Sequence, residues 1–137
     1  MKKILLLSTL FASLLLSHSL TVKISNVHKG KGQILIGLFN SSDGFREIDS
    51  VYKQGIISTV DSKELVYLFT DVPSGVYALS TFHDENKNSK LDKNFLGMPK
   101  EGYGFSNNIR PTFRPASFEE SLFKLNKDMN ITIEMGY

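Results

Sequence analysis

The sequence predicts an all-β protein, an antiparallel β-sandwich of about seven short strands. Three observations carry this expectation. Apolar and polar residues alternate at a period of two through most of the chain beyond its first residues, as they do in half-buried strands. Turn chemistry rich in Gly, Pro, Asn and Asp punctuates the alternating segments. No segment carries a strong helical period.

In order, "LTVKISNV" sets Leu20, Val22 and Ile24 on alternate positions, and "HKGKG" supplies a turn. "QILIGLF" follows as a more continuously apolar strand from Ile34 to Phe39. The two are expected to pair as a β-hairpin, with Gly30 and Gly32 permitting the tight connection. "NSSDGF" is a loop, and Arg46 to Gln54 reads as a short helix or an irregular excursion. "GIISTV" is a strand, "DSKE" a turn, and "ELVYLFTDV" a strand in which Leu65, Tyr67 and Phe69 alternate with Val66 and Leu68. Pro73 and Gly75 then turn the chain into the strand "VYALSTF". A long excursion with little periodicity runs through "FLGMPKEGYGFSNNIRPTFRPAS". "SFEESLFKLN" and "NITIEM" close the chain as two strands joined by "NKD".

Residues 1–19 read as a signal peptide and residues 20–137 as a single domain. Lys2 and Lys3 form a basic start, and Ile4 to Leu16 an apolar run shorter than the roughly 20 residues that span a bilayer. Ser17 and Ser19 supply the small side chains expected before a cut after Ser19. An exported protein, periplasmic or secreted, is the expectation, with no transmembrane segment in the mature chain. With no cysteine in the chain, a lipid-modified cysteine and disulfides are both excluded, and stability rests on a packed core. Lys2 and Lys3 leave with the signal, so 14 basic residues then face 14 acidic ones. Nucleic-acid binding has no electrostatic support in such a balance.

"DENKNSKLD" is the most chemically loaded stretch. Counted from Asp84, oxygen-bearing side chains fall at positions one, three, five and nine (Asp84, Asn86, Asn88, Asp92), with the carbonyl of Lys90 at seven. A hard cation takes six to eight oxygens, and a curling loop can turn alternate short side chains onto one centre, as in EF-hand loops. The pattern therefore predicts a structural calcium site at Asp84, Asn86, Asn88, Lys90 and Asp92, with Glu101 or Glu85 as candidates for a remaining ligand. Ser89 replaces the usual sixth-position Gly, Phe95 replaces the twelfth-position Glu, and no helix flanks the loop, so it is not an EF-hand. The alternative is an Asx-rich turn whose side chains cap their own backbone.

Other constellations are weaker. Ser106 in "GYGFSNN" lacks the second Gly of a nucleophile elbow, so backbone packing is the expected use of Gly102 and Gly104. Among the two histidines of the expected mature chain, His28 and His83, the latter precedes Asp84 and offers a general base or an auxiliary ligand. Glu119 and Glu120 read as a solvated turn before a glycosidase pair. Tyr103, Phe105 and Phe113, interleaved with Asn107, Asn108, Arg110 and Arg114, suit an exposed face for sugar or peptide, or else fold back to cover one end of the sandwich.

The stretch "FTDVPSGVYALSTFHDENKNSKLDKNFLGMPKEGYGFSNN", with the later Pro115 to Glu119 segment, resembles an uncharacterised family of small exported bacterial proteins, domain of unknown function 2141 (DUF2141). Ser89 stands where that family is expected to favour Gly. "VPSGVYAL" is also similar to prealbumin-like sandwiches, including the regulatory domain attached to some carboxypeptidases. That likeness implies a seven-stranded Greek-key sandwich and no catalytic activity, since fold does not fix function. The expectation is a non-enzymatic, exported β-sandwich protein of the bacterial envelope acting on an unknown envelope or extracellular ligand. A glycan, peptide or small-molecule binding module using residues 95–113 is the first alternative. A hydrolase built around His83, Asp84 and Glu101 is the second.

Overall fold

In the computed structural model, which describes residues 16–58 and 60–137, the alternating segments form strands arranged in two sheets. They are β1 (Ser17–Ser25), β2 (Gln33–Phe39), β3 (Lys53–Ile57), β4 (Leu65–Pro73), β5 (Gly75–Asp84), β6 (Tyr103–Phe105), β7 (Leu122–Leu125) and β8 (Met129–Glu134). The smaller sheet has the order β4–β1–β8, and the larger β3–β2–β5–β6, with β7 on the same strand β5. Every pairing is antiparallel except β1 with β8, which run parallel from Leu20↔Met129 to Ser25↔Glu134.

The sandwich follows from the alternation. Leu20, Val22 and Ile24 of β1 meet Ile34, Ile36 and Leu38 of β2, Leu79 of β5 and Ile133 of β8 in one buried cluster between the sheets. Each such side chain contributes about 1.5–3 kcal/mol when fully buried. A second cluster of Phe39, Phe45, Ala78, Phe105 and Ala116 packs elsewhere, with Phe45 set edge-on to Phe39 and to Phe118. Phe39 and Ala78 are register partners on β2 and β5, and each follows an inner-cluster residue in its strand (Leu38 and Tyr77). The second cluster therefore lies on the outer face of the larger sheet.

Three expectations are corrected. β1 and β2 are not a hairpin: they lie in opposite sheets, and β1 pairs instead with β4 and β8. The link between them is an arch, with Val27 donating to Lys63 O and Gly30 to Val60 O. In "SFEES", Ser117 and Glu120 form a capping box, the Ser hydroxyl accepting the Glu120 N–H while the Glu carboxylate accepts the Ser117 N–H. That reciprocal pair curls Glu119–Ser121 into a 3-10 turn, so the strand begins only at Leu122. The excursion also contains a strand of its own, β6, which joins the edge of β5 beside β7. The ambiguous segment resolves into a 3-10 turn at Ile48–Ser50 followed by β3.

Pro73 and Gly75 carry the chain from the smaller sheet to the larger, and the Tyr77 hydroxyl donates to Pro73 O at 2.7 Å, pinning the corner. β6 reaches the other sheet through a bridge between Tyr103 and Gly136. Residues 1–15 of the expected signal lie outside the described residues. The expected cut after Ser19 falls within β1 and leaves its register with β8 whole, since that pairing starts at Leu20. Among the described residues no helix is long and apolar enough to cross a membrane.

A candidate binding cleft beside the acidic loop

β5 delivers the chain into the acidic loop with its last two side chains on opposite faces. His83 is buried: its Nε2–H donates to Lys31 O at 3.1 Å, which leaves Nδ1 to accept the Tyr137 hydroxyl at 2.8 Å. Burial pushes the Tyr137 phenol above its usual range, and its ring stacks on His28 with centroids 3.5 Å apart. Both imidazole nitrogens of His83 are thus committed to structure. Neither His83 nor Glu101 lines the cleft that opens between residues 89–99 and 111–115.

Asp84, fully buried, closes the loop onto itself. Its carboxylate accepts the N–H groups of Asn88 (3.1 Å) and Ser89 (2.8 Å) and the Gln33 side chain (2.8 Å). Asn86 Oδ1 accepts the Asn88 N–H and Asn88 Oδ1 the Lys90 N–H. Their Nδ2 groups converge on Asp92, at 2.7 and 2.9 Å. The hydrogen bonds of an Asx-rich turn are therefore made at Asn86 and Asn88, whose amides also meet Asp92, while Asp84 joins them through the Asn88 N–H. The Lys90 side chain is exposed. For an ion to sit among them, both amides would have to rotate so that Oδ1 replaces Nδ2. No group of three or more His, Cys, Asp or Glu is disposed to hold a metal among the described residues. The donor set would be two carboxylates, two amide oxygens and a carbonyl, the oxygen chemistry a hard cation takes.

Glu101 was a candidate ligand in the sequence, and its position gives it a second use. One carboxylate oxygen accepts the Glu85 N–H at 2.6 Å and the other the Asp92 N–H at 2.9 Å, so it ties both ends of the loop together. Burial raises the Glu101 carboxyl above its usual range against those N–H groups, and the nearby Asp92 adds to the rise. Asp92 is held low, chiefly by the Asn88 amide, with Asn86, Glu101 and Lys100 helping.

Two loop residues, Lys87 (φ +57°) and Ser89 (φ +61°), adopt the left-handed conformation. For Ser89 this is the position where an EF-hand loop places Gly to make its sharp turn. Ser89→Gly is expected to raise the unfolding free energy by about 1 kcal/mol, the cost of a Cβ in that region. A denaturant midpoint that falls would contradict the backbone assignment.

Beyond the loop, residues 92–100 fold as a narrow hairpin. Lys100 donates to Asp92 O, Asn94 to Met98 O, and the Asn94 side chain accepts the Leu96 and Met98 N–H groups. That turn displays Phe95, 95% exposed, and Leu96 and Met98. Facing it, residues 111–115 present Phe113, 96% exposed. Between the two arms lies a cleft of 390 Å³ whose floor includes Ser80 and Phe82 of β5 and their cross-strand partners Phe105 and Tyr103 of β6.

The expected aromatic face is accordingly redistributed. Phe105 is buried in the second cluster and Tyr103 is half-buried with Arg110 4.4 Å above its ring, so these two fold back onto the sandwich and only Phe113 stands out. Asn107 and Asn108 are staples: the first donates to Glu120 O and Leu122 O, and the second links Thr132 O with the Glu134 N–H. Ser106 is buried, its hydroxyl accepting the Leu79 N–H and donating to Ser121 O, which suits packing and not nucleophilic attack. Sequence reasoning missed Arg46 and Phe82 as cleft residues. The alternation in β5 held the signal for Phe82, since it shares a face with Ser80 and not with Leu79.

Glu120 is paired with a cation: Arg114 holds its carboxyl well down, to about 2, aided by the Ser117 N–H. Because the folded value lies below the ordinary 4.5, this contribution to stability is full above pH 4.5 and is lost as pH falls through about 2. An NMR titration is expected to find Glu120 ionised at pH 3 in the wild type and to find its pKa restored toward 4.5 in Arg114→Ala. An unchanged value in that variant would contradict the pairing.

A two-sheet sandwich carrying a ligand-sized cleft on a loop excursion defines the class of protein, a β-sandwich module with a candidate binding site. A family model described as "Uncharacterized protein conserved in bacteria (DUF2141)" matches residues 22–134, and the chain belongs to that family. Neither curated proteins nor solved structures provide a match.

Proposed function

We propose that this protein is an exported, non-enzymatic binding module of the bacterial envelope, its working surface the cleft between residues 89–99 and 111–115. The observation that carries this reading is the open 390 Å³ space, within the range of about 300–1,000 Å³ typical of ligand pockets, bordered by an almost fully exposed Phe113. Exposed apolar patches of this kind mark binding surfaces. The commitment of His83, Ser106 and Glu120 to structural hydrogen bonds favours binding over hydrolysis.

Calcium held by Asp84, Asn86, Asn88, Asp92 and the Lys90 carbonyl is part of the same proposal. The convergence of those side chains and the left-handed Ser89 support it, and so does Glu101 beside Asp92, a further carboxylate in reach of the loop. The ion's job is mechanical: it fixes the base of the 92–100 hairpin, which is one wall of the cleft.

The test is an NMR screen of isotope-labelled mature protein against saccharides, short peptides and small organic molecules. Shifts clustered around Phe82, Tyr103 and Phe113 are the expected result. Binders that perturb only other surfaces, or no binder at all, would overturn the assignment of the cleft. Export is tested separately by sequencing the N-terminus of the protein from the periplasm or medium, which is expected to begin at Leu20.

A further inference from the structure

The chemistry of the cleft lining is one-sided. Among the described residues Arg46, Lys90, Lys93 and Arg114 border it from three separate segments, and no Asp, Glu, Asn or Gln does. All four basic residues are exposed, whereas the aromatic floor of Phe82, Tyr103 and Phe105 is buried or half-buried. The cleft is therefore apolar at depth and cationic toward solvent. Arg114 already has Glu120 as its partner, while Arg46, Lys90 and Lys93 make no ion pair among the described residues. The nearest acid in sequence to Lys93, Asp92, is occupied by the amides of Asn86 and Asn88.

From this we infer that the ligand is a small amphipathic carboxylate, its apolar body on the aromatic floor and its anionic head among Arg46, Lys90 and Lys93. The inference rests on the cleft being the binding surface and adds the class of ligand. A neutral glycan fits less well. Sugar hydroxyls are read by side-chain amides and carboxylates that both donate and accept, and the two asparagines adjacent in sequence are used as backbone staples. A cationic ligand would meet like charge on every side, which costs affinity and slows encounter. An anion gains from the clustered cations at the mouth, and the apolar lip of Met98 and Phe113 gains from being covered.

Three probes of equal chain length separate the contributions: octanoate, octanol and octyltrimethylammonium, titrated into the labelled, calcium-supplemented mature protein. Octanoate is expected to shift Phe82, Tyr103 and Phe113 and to bind about tenfold or more tightly than octanol, with the ammonium weakest. The double variant Arg46→Glu, Lys93→Glu is expected to lose that preference while melting like the wild type, because both side chains are exposed. Phe113→Ala is expected to weaken octanoate and octanol alike. Equal binding of octanoate and octanol would overturn the anionic class and leave the cleft as a binding surface. Failure of all three probes would overturn the inference, and the broader screen of saccharides, peptides and small molecules then judges the cleft itself.

Discussion

Asp84→Ala is expected to lower the unfolding free energy by about 3 kcal/mol in metal-free buffer, the largest effect of any single polar substitution in the loop. The carboxylate is fully buried and accepts three hydrogen bonds, two from the loop backbone and one from Gln33 on β2. Hydrogen bonds to a charged group contribute about 1.5–3 kcal/mol each, and the exposed Asn88 and Ser89 can recover part of theirs from water. Asp84→Asn keeps an acceptor and is expected to cost about half as much. Chemical denaturation with an unchanged denaturant slope measures both. A loss below about 1 kcal/mol in Asp84→Ala would mean that the loop does not depend on this side chain.

Gly104→Val is expected to cost a similar amount, about 3 kcal/mol, by overpacking. A Cβ there would lie 2.6 Å from a methyl of Ile133 and 3.1 Å from the backbone oxygen of Glu134, both on β8 of the opposite sheet. The Ile133 methyl can yield only into a filled core, and the carbonyl belongs to a strand held by β1. Because Gly104 sits between Tyr103 and Phe105, displacing β6 also disturbs the cleft floor. The variant is therefore expected to melt lower and to bind cleft ligands more weakly. Wild-type stability in Gly104→Val would contradict the close approach of β6 and β8.

The strands were legible in the sequence because alternation at a period of two reports which face of a strand is buried. It does not report the neighbour. β1 has the same pattern whether it pairs with β2 across a Gly-rich turn or, as here, with β4 and a parallel β8 more than a hundred residues away. β6 is three residues long, too short for any period, and only its pairing with Ser80–Phe82 gives it form. The Ser117 to Glu120 capping box is spelled in "SFEE", yet the apolar run beside it reads as a strand through the same residues, and the box wins in the folded chain. In the acidic loop the two-residue spacing marked the Asx side chains, and Asn86 and Asn88 do bond the backbone two residues on and meet Asp92. The double role of Glu101, thirteen positions beyond the loop's midpoint at Asn88 and bonded to both its ends, required the folded chain. Arg46 entered the cleft from a segment with no period at all, so its charge could be assigned to no face.

The central claim is that a cation-loaded loop anchors the wall of the cleft, and a thermal melt in chelator against a melt in millimolar calcium tests it most directly. A calcium concentration about ten to a hundred times the dissociation constant stabilises by about 1.4–2.7 kcal/mol, which raises Tm by several degrees. The expected result is that shift in the wild type and its loss in Asp84→Ala combined with Asp92→Ala. Identical melting of the wild type with and without calcium would contradict the claim.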